Sequence, residues 1–590
     1  MRNIFLPVLL LLIASAHADT GVSVASPEKL RQDLLGSGGA ARVGVIVSGT
    51  GAVARTLASR ANDEINAQDF SVKCDSSTDD RAALQAAVTA HKRVNLPVGT
   101  CLINGSINLQ AGSVLRGKGI GLTVLKQTGT VTTSAGLLYA NSGSSGSRLA
   151  GIVLEDMTID GNGAALGGLS QFQHAISLNG IEKSSIRRVE VRAFRGDGIY
   201  LGSGITGGDE RHNVNVTIDA VTVDGVDNHN RNGISVIDAD GLVISNSNFM
   251  NCSDPSMPGA IDIEPDASAF HVVRNIIVRH NQFTNITGGN GVVALYLTAV
   301  YTTVAENFII TGNEVSSSTY GFTFLNALAN NSKPRNIVLS DNSGYDIGAP
   351  FRFISPGAGP GYWRGITISG NIFYYDGQPY LGYNNGDTIA DTILANNLLI
   401  AKAGANGVVV RTANNLLVTG NVFRGQSTYG MLFSGTGNTI TSVTMTGNSF
   451  QAIGVRAIEN GGGTWFPDTN VFLNNSLGSY GHQFNAYKSD NAGTVTNGAS
   501  ATTFNFGTLP DSFPAGVSMA VINGDTTGPA GTGADQGTLY TYRATMTAGY
   551  EKFTFQLYYH ANNALKLGSF WIRRRNSGAN TWSAWVEQAT

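Results

Sequence analysis

The sequence predicts an all-β protein built around a right-handed parallel β-helix. The main observation is a phrase repeated through the second half of the chain, in which an aliphatic run precedes an asparagine, any residue and a large apolar residue. Successive asparagines lie 24 to 32 residues apart, and a period of this size indicates one supersecondary unit stacked on its neighbours. The repeated asparagines are Asn281, Asn313, Asn371, Asn397, Asn421, Asn448 and Asn475, with a degenerate copy at Asn342.

The repeated units are made of strands, not helices. Runs rich in β-branched and aliphatic residues, such as 336–339 and 442–445, lack the 3.6-residue period of a helix. Asparagine suits the turn because it tolerates left-handed backbone angles, and its stacked amides can hydrogen-bond from one unit to the next. The 74 glycines among 590 residues and the 13% of charged residues fit strands that turn tightly and stack.

Composition narrows the function. The net charge is −3 and no basic stripe is present, so no nucleic-acid partner is expected. The 42% of hydrophobic residues argues against disorder. After the first 18 residues, no stretch is long and apolar enough to span a bilayer, so no membrane partner is expected once that segment is cleaved.

The start of the chain predicts two segments that are not part of the solenoid. Residues 1–18 have the pattern of a secretory signal peptide, with Arg2, an apolar stretch at 4–13 and a small-residue cleavage site at 16–18. Residues 19–66 are interpreted as an adaptor with short helical stretches.

Three segments follow. Residues 67–485 are assigned to the β-helix, and the run Thr78-Asp79-Asp80 near its start is expected to cap a helix at 81–91. Residues 486–504 are interpreted as a small-residue linker, and residues 505–590 as a separate β-rich domain with alternating strands.

The three cysteines leave two interpretations open. Cys74 and Cys101 can form a bridge in an oxidising compartment, which leaves Cys252 free. Alternatively, both are small buried hydrophobic residues.

Several motifs at the start of the solenoid resemble bacteriophage tailspike depolymerases, which carry pectate-lyase-like β-helices. The motifs are GGAARVG at 38–44, GTGAVART at 49–56, DFSVKCD at 69–75, DDRAALQAA at 79–87 and LPVGT at 96–100. The last domain, with Trp571 and the run at 582–585, is similar to knob domains that end some phage and pyocin tail fibres. The resemblance implies a homotrimer that binds, and often cuts, a bacterial surface polysaccharide. It places the chain in a virion tail, whereas the signal peptide indicates secretion.

The main catalytic candidates are Asp262 and Glu264. In a strand at 259–265, Ile261 and Ile263 would point into the solenoid, and the two carboxylates would share the outer face. Such a pair can divide the work of glycoside hydrolysis between an acid and a base or nucleophile. Mutual repulsion would raise the pKa of one of them. The pattern leaves open which is the acid and whether configuration is retained or inverted, and a solvated outer face is the non-catalytic interpretation.

Residues around this pair are candidates for binding the substrate. Alignment of the inward isoleucines places three residues in the column that leads to Asp262: Ser177, Tyr200 and Ser235. It places Asn179 and Ile237 in the column that leads to Glu264. Tyr200 could stack on a sugar ring or be an ordinary β-former.

A polar turn at 227–231 contributes further candidates. Asp227 and His229 could orient a sugar, and Arg231 could bind a uronate carboxylate through a bidentate fork. Weaker candidates of the same kind are His174, Asp197 and His212. Tyr296 and Trp363 complete the proposed substrate-binding set, and the aromatic cluster around Trp363 fits either a saccharide platform or a trimer contact.

Two other functions remain open. The polygalacturonase, zinc-protease and phosphate-loop motifs are absent, and a hydrolase of this kind needs no metal or cofactor. A polysaccharide lyase would use Ca²⁺ held by Asp262, Glu264 and Asp266, with Arg231 as the base. A non-enzymatic receptor-binding tail fibre or adhesin would recognise the same glycan without cutting it.

Overall fold

A computed structural model describes most of residues 26–477 and several strands beyond them. The residues left out within that range are 133, 144–146, 205–210, 227–229, 255–258, 266–269, 290, 298–303, 327–333, 356–359, 403, 435–437, 462–463 and 466–470. After 477, it describes 488–492, 516–525, 535–543, 555–560, 570–574, 583–584 and 586–588. The signal peptide predicted at 1–18 lies outside the described residues.

The chain divides into two compact units, of which the first ends at Ile65. Its helices are Pro27–Leu35, Gly39–Arg42 and Leu57–Ala61, and Gly44–Val45 pairs antiparallel with Arg55–Thr56. Ser26 begins the first helix, because its hydroxyl accepts a hydrogen bond from the Lys29 amide at 3.2 Å.

The second unit contains a solenoid of parallel strands in three ladders. The strand Ile65–Asn66 spans the boundary between the units in sequence, the 3₁₀ helix Ala67–Phe70 follows it, and the helix Arg81–Ala90 lies between the first strands of the solenoid. Ladder one contains Ile107–Asn108, Ala135–Asn141, Gln173–Asn179, Ile199–Gly202, Ile234–Val236, Ile261–Ile263, Val293–Leu297, Glu314–Asn326, Ser343–Ile354, Tyr380–Leu381, Val408–Val410, Tyr429–Ser434 and Arg456–Gly461.

Ladder two contains Arg93–Asn95, Val114–Arg116, Leu149–Ala150, Val153–Asp160, Ile181–Arg192, Asn213–Asp219, Ala239–Ser245, Val272–Arg279, Val304–Thr311, Arg335–Ser340, Tyr362–Ser369, Thr388–Ala395, Thr412–Thr419, Thr439–Thr446, Thr464–Trp465, Val471–Ser476 and Lys488–Ala492. Because Lys488–Ala492 pairs with Val471–Ser476, the parallel strands continue past residue 485.

Ladder three contains Asp75–Asp79, Gly99–Ile103, Thr123–Gln127, Thr222–Asp224, Asn248–Met250, Gln282–Thr284, Ile372–Tyr375, Leu398–Ala401, Val422–Arg424 and Ser449–Gln451. The long strands Val153–Asp160, Ile181–Arg192, Glu314–Asn326 and Ser343–Ile354 each take part in two ladders. Three parallel ladders wound from successive turns of the chain form a parallel β-helix, which confirms the predicted fold class.

The core of the solenoid is a column of stacked inward side chains. Phe249 stacks on Phe283 with ring centroids 4.9 Å apart, and Phe423 stacks on Phe450 at 4.8 Å. Both pairs join equivalent positions of neighbouring strands in ladder three. The large apolar residue of the repeated phrase is therefore the residue that fills the core.

The repeated asparagines form a buried hydrogen-bonded ladder. In each step, the backbone N–H and the side-chain Nδ2 of one asparagine both donate to Oδ1 of the asparagine one turn later, at 2.7 to 3.1 Å. Asn342 is a full member, although Gly344 replaces the large apolar residue of its phrase. The hydrogen bonds depend on the amide alone, so the degenerate copy still continues the ladder.

We expect Asn371→Ala to lower the free energy of unfolding by about 1–3 kcal/mol. It removes an amide that donates to Asn397 and accepts from Asn342, and it leaves buried backbone groups without partners. The measurement is thermal or urea unfolding, with Asn414→Ala as the control because Asn414 is exposed. Equal stability of the two variants would contradict a stabilising role for the ladder.

Only one of the two acidic residues before helix Arg81–Ala90 caps that helix as predicted. Asp79 Oδ1 accepts from the Arg81 amide at 3.1 Å and acts as a cap. Asp80 is buried, and its carboxylate accepts instead from the amides of Lys73 and Cys74, at 2.7 and 2.8 Å. The expectation that both acids cap the helix was therefore wrong for Asp80, which holds the preceding turn.

The cysteines follow the first of the two interpretations. Cys74 and Cys101 form a disulfide, and Cys252 is free and buried. Burial raises the pKa of the Cys252 thiol to about 12, so this thiol stays protonated and unreactive at neutral pH.

The last described strands form an antiparallel sheet. Its five members are Gly516–Asp525, Asp535–Arg543, Phe555–His560, Phe570–Arg574 and Val586–Gln588, each paired with its neighbour in sequence. Among the helices that the structure describes, none has the length and apolar character needed to cross a membrane.

Candidate active site

Asp262 lies in ladder one, in the column predicted from the sequence. Ser177 pairs with Tyr200, Tyr200 with Ser235, and Ser235 with Asp262. This register confirms the expected alignment of the inward isoleucines. It places the candidate acid beside a polar column contributed by three earlier turns.

Burial separates the two carboxylates more sharply than the sequence suggested. The Asp262 residue is only 1% exposed, and Glu264, two residues later, is half-buried. The prediction was that both carboxylates lie on the outer face, but Asp262 is covered by its neighbours and does not lie in open solvent. The pair therefore has one buried and one accessible member.

Asn232 links Asp262 to a third carboxylate. Asn232 Nδ2 donates to Asp262 Oδ2 at 3.0 Å, and the backbone N–H of Asn232 donates to Asp197 Oδ1 at 3.1 Å. Arg231 Nη1 lies 3.8 Å from the same Asp197 oxygen. All of these side chains except that of Arg231 are buried, and Arg231 retains 19% exposure. The site thus contains three carboxyl groups and one guanidinium.

The electrostatics of the site favour a protonated Asp262. Burial raises the pKa of the Asp262 carboxyl well above its usual value, and the negative charges of Glu264 and Asp197 raise it further. Arg231 acts in the opposite direction but does not reverse the shift of the pKa. A raised pKa favours the protonated form of a carboxyl group, which is the form that a general acid requires.

Two glycines bring these turns of the chain together. A Cβ atom on Gly198 would lie 2.7 Å from the carbonyl oxygen of Gly233, and a Cβ on Gly233 would lie 2.7 Å from that of Ala260. Both distances are too short for a side chain, so only glycine allows the strands to start this close together. Asp197 and Asn232 immediately precede these glycines, and in register they align with each other three residues before the position of Asp262.

Tyr200 and His174 form one wall of the site. Their rings are parallel within 8° and their centroids are 4.3 Å apart. His174 is buried, and its Nδ1 accepts from the Asp197 amide at 3.2 Å. Tyr200 is half-buried, so one face of its ring is covered by His174. From the sequence, His174 and Asp197 were only weak candidates for binding the substrate, but the structure places both at the site.

The Glu264 end of the site has its own polar groups. His212 Nδ1 lies 2.8 Å from Asp238 Oδ1, and Ser203 Oγ lies 3.0 Å from His271 Nε2. These four residues lie at or next to the turns that lead from ladder one to ladder two. Glu264 directly follows Ile263, the last residue of its ladder-one strand. It therefore lies at the edge of ladder one where the chain turns toward ladder two.

The remaining predicted residues have different outcomes. Tyr296 is half-buried and follows Leu295, whose partner Ile263 precedes Glu264, so Tyr296 lies one strand beyond Glu264 in register. Trp363 was predicted to bind substrate, and this was wrong. It is 0% exposed and packs edge-on against Phe353 with centroids 6.0 Å apart. In strand Tyr362–Ser369, Trp363 points into the core on the same side as Ile366 and Ile368. It does so because Gly365 has a left-handed backbone conformation, which shifts the alternation of side chains by one residue.

Three predicted residues lie outside the described residues: Asp227, His229 and Asp266. Conversely, the sequence reasoning missed Asn232. The strand register could have identified Asn232 from the sequence. Because Ile234 aligns with Ile199, Asn232 aligns with Asp197.

Comparisons with known proteins agree with this fold. Residues 64–257 match the family model described as Rhamnogalacturonase A/epimerase, pectate lyase-like, which spans less than half of the chain. A search of curated proteins gave no significant match.

Among solved structures, the chain is similar to two phage proteins. A double mutant of the tailspike protein of E. coli bacteriophage HK620 matches over 95% of this chain and 98% of that chain, with 12% identity and a TM-score of 0.55. A second double mutant of that tailspike, in complex with a pentasaccharide, matches equally well. The N-terminal fragment of bacteriophage Phi29 gene product 12 matches over 76% of this chain and 75% of that chain, with 18% identity and a TM-score of 0.52.

These similarities define the class of the fold. At 12 and 18% identity they concern the backbone architecture alone, and that architecture is the pectate-lyase-like parallel β-helix found in phage tailspikes. The resemblance noted in the sequence is therefore confirmed at the level of the fold.

Proposed function

We propose that this chain is a polysaccharide depolymerase that hydrolyses glycosidic bonds with Asp262 and Glu264. The observation that carries the proposal is the buried Asp262 carboxyl, whose pKa is raised by burial and by the adjacent Glu264 and Asp197. Beside it, the half-buried Glu264 is accessible to a ligand. A carboxyl group with a raised pKa and an accessible carboxyl group two residues later are the two groups that this reaction needs.

The proposed chemistry assigns one role to each group. Asp262 donates its proton to the glycosidic oxygen as the bond to the anomeric carbon breaks. Glu264 either attacks the anomeric carbon or takes a proton from the attacking water. Water supplies the hydroxyl group and the proton that complete the products and restore Asp262. Tyr200, two strands before Asp262 in register, and Tyr296, one strand beyond Glu264, would contact the sugar rings.

The site favours hydrolysis over β-elimination. Arg231 is the base that the lyase alternative would require, and a guanidinium does not lose its proton in proteins. Arg231 is therefore a poor candidate for the base that β-elimination requires.

The comparisons support the coarser part of the proposal, which is binding or processing of a polysaccharide. One similar structure is a phage tailspike in complex with a pentasaccharide. From this similarity we infer a bacterial surface polysaccharide as the substrate, a homotrimer as the assembly, and a virion tail or a secreted form as the location. Light scattering tests the assembly, and a monomer would contradict it.

The proposal is tested by the size distribution of purified bacterial capsular and exopolysaccharides after incubation with the protein. We expect the native chain to shorten at least one polymer and the Asp262→Asn/Glu264→Gln double variant to shorten none. The matched control is Asp391→Asn, which alters a half-exposed carboxylate on ladder two.

Each other outcome has a defined meaning. An absorbance from unsaturated uronate in the products would replace hydrolysis by the lyase reaction. Binding without shortening would favour the receptor-binding alternative. Equal shortening by the double variant would show that the reaction takes place elsewhere on the solenoid.

A further inference from the structure

A polar cavity lies on the outer face of ladder one, farther along the solenoid than the carboxylate pair. Its volume is about 410 Å³. Three tyrosines, two amides and one arginine dominate its lining: Gln378, Tyr380, Tyr383, Asn384, Arg411 and Tyr429. None of these residues belongs to the site around Asp262.

The cavity and the carboxylate pair share one column of the solenoid. From Asp262, successive strand partners are Ala294, Thr323, Arg352 and Tyr380. Four steps between neighbouring strands at about 4.8 Å each give roughly 19 Å. A single extended chain running along ladder one would therefore meet both places.

The tyrosine walls of the cavity are held in place. The rings of Tyr380 and Tyr383 meet edge to face with centroids 4.9 Å apart. Gln378 joins two of the walls, because its Nε2 donates to the Tyr429 hydroxyl at 2.8 Å and its Oε1 accepts from the Tyr380 hydroxyl at 3.3 Å. Aromatic faces with adjacent amides are typical of surfaces that bind sugars.

A buried carboxylate organises the loop that carries Tyr383. Asp387 is 0% exposed, and its Oδ2 accepts from the amides of Tyr383 and Asn384, both at 2.9 Å. Its Oδ1 accepts from the Ser355 hydroxyl at 2.7 Å and from the Gly361 amide at 2.8 Å. Since all four hydrogen bonds are internal, the Asp387 charge is used within the fold and the loop is preorganised.

Arg411 gives the cavity a positive charge. Its Nε donates to the Tyr383 carbonyl at 2.9 Å, and its Nη1 donates to the Ser434 hydroxyl at 3.1 Å. Within the part of the chain that the structure describes, Arg411 forms no ion pair within 4.0 Å, and its Nη2 makes no hydrogen bond. Arg352, the strand partner of Tyr380, adds a second positive charge nearby.

We propose that this cavity is a distal subsite for a carboxylated sugar unit of the polymer that Asp262 and Glu264 cleave. Arg411 binds the carboxylate, and the tyrosines contact the sugar ring. The inference rests on the proposed function and narrows its substrate to acidic polysaccharides long enough to span about 19 Å.

The test measures binding in the inactive Asp262→Asn/Glu264→Gln background, so that cleavage does not alter the polymer. The probes are purified acidic capsular polysaccharides, each beside its carboxyl-reduced form. We expect at least one acidic polymer to bind, and Arg411→Gln to raise its Kd at least tenfold. We expect carboxyl reduction to weaken binding by a similar factor.

The control is Arg424→Gln, which removes an exposed arginine on ladder three and should leave the Kd unchanged. An unchanged Kd for Arg411→Gln, equal binding of the carboxyl-reduced polymer, or binding of neutral polymers alone would overturn the inference. A change in oligomeric state on Arg411→Gln would assign the cavity to a contact between copies. Cleavage by the native chain is measured separately, so either proposal can fail alone. Absence of binding by every polymer would overturn both.

Discussion

Asp262→Asn is expected to abolish depolymerisation and at the same time to stabilise the fold at neutral pH. The variant loses the proton donor, which typically contributes a factor of about 10²–10⁴ to the rate. It also removes a carboxyl group that burial and two neighbouring carboxylates disfavour in its charged form. Asparagine has nearly the same shape and can still accept the hydrogen bond from Asn232. We expect a gain of about 1–3 kcal/mol in the free energy of unfolding.

The pH dependence of that gain follows from the direction of the pKa shift. The Asp262 pKa is higher in the folded chain than its ordinary value of 3.8, so the folded native chain binds the proton more tightly than the unfolded chain. The native chain therefore loses stability as the pH rises from about 3.8 through the folded pKa, whereas the variant does not. The difference between them should vanish in acid and reach its maximum above the folded pKa.

Urea unfolding of the native chain and of Asp262→Asn across this pH range measures the effect. Asp391→Asn is the control, because hydrogen bonds from Asn415 and Arg364 lower the pKa of the Asp391 carboxyl, so loss of that carboxylate should not stabilise the fold. A loss of stability in Asp262→Asn at neutral pH would show that the carboxylate is well solvated or paired. That result would remove the electrostatic basis for its assignment as the acid.

Asp197→Asn is expected to move the alkaline limb of the pH–activity profile to lower pH. Activity requires protonated Asp262, so it falls as the pH rises through the pKa of that group. The negative charge of Asp197 raises this pKa, and asparagine removes the charge while it keeps an oxygen to accept from the Asn232 amide. We expect activity at neutral pH to fall by roughly tenfold or more.

The measurement is kcat/KM as a function of pH on the polymer that the native chain shortens. At low pH, where Asp262 is protonated in both proteins, the two rates should converge. Asp240→Asn is a suitable control because Asp240 lies on ladder two and pairs with Arg274. A uniform loss of rate at every pH would instead show that Asp197 acts only by holding Asn232 in position.

The sequence alone was sufficient for the fold and for much of the register. The repeated asparagines predict a stacked solenoid because an amide ladder requires the same residue at the same place in each turn. The alternation around Ile261 and Ile263 predicts the partners of Asp262, because successive residues of a strand point to opposite faces. Both predictions depend on local periodicity, which is present in the chain before it folds.

Only the tertiary structure revealed which polar residues lie close together and how deeply they are buried. Asp197, Asn232 and Asp262 are separated by about thirty residues at each step, and nothing in the local pattern ranks one turn residue above another. Trp363 was misassigned because a left-handed glycine two residues later changes the face that its strand presents. The raised pKa of Asp262 likewise depends on burial, a property of the assembled turns. The sequence therefore pointed to two candidate carboxyl groups, and only the fold showed that one is buried and the other accessible.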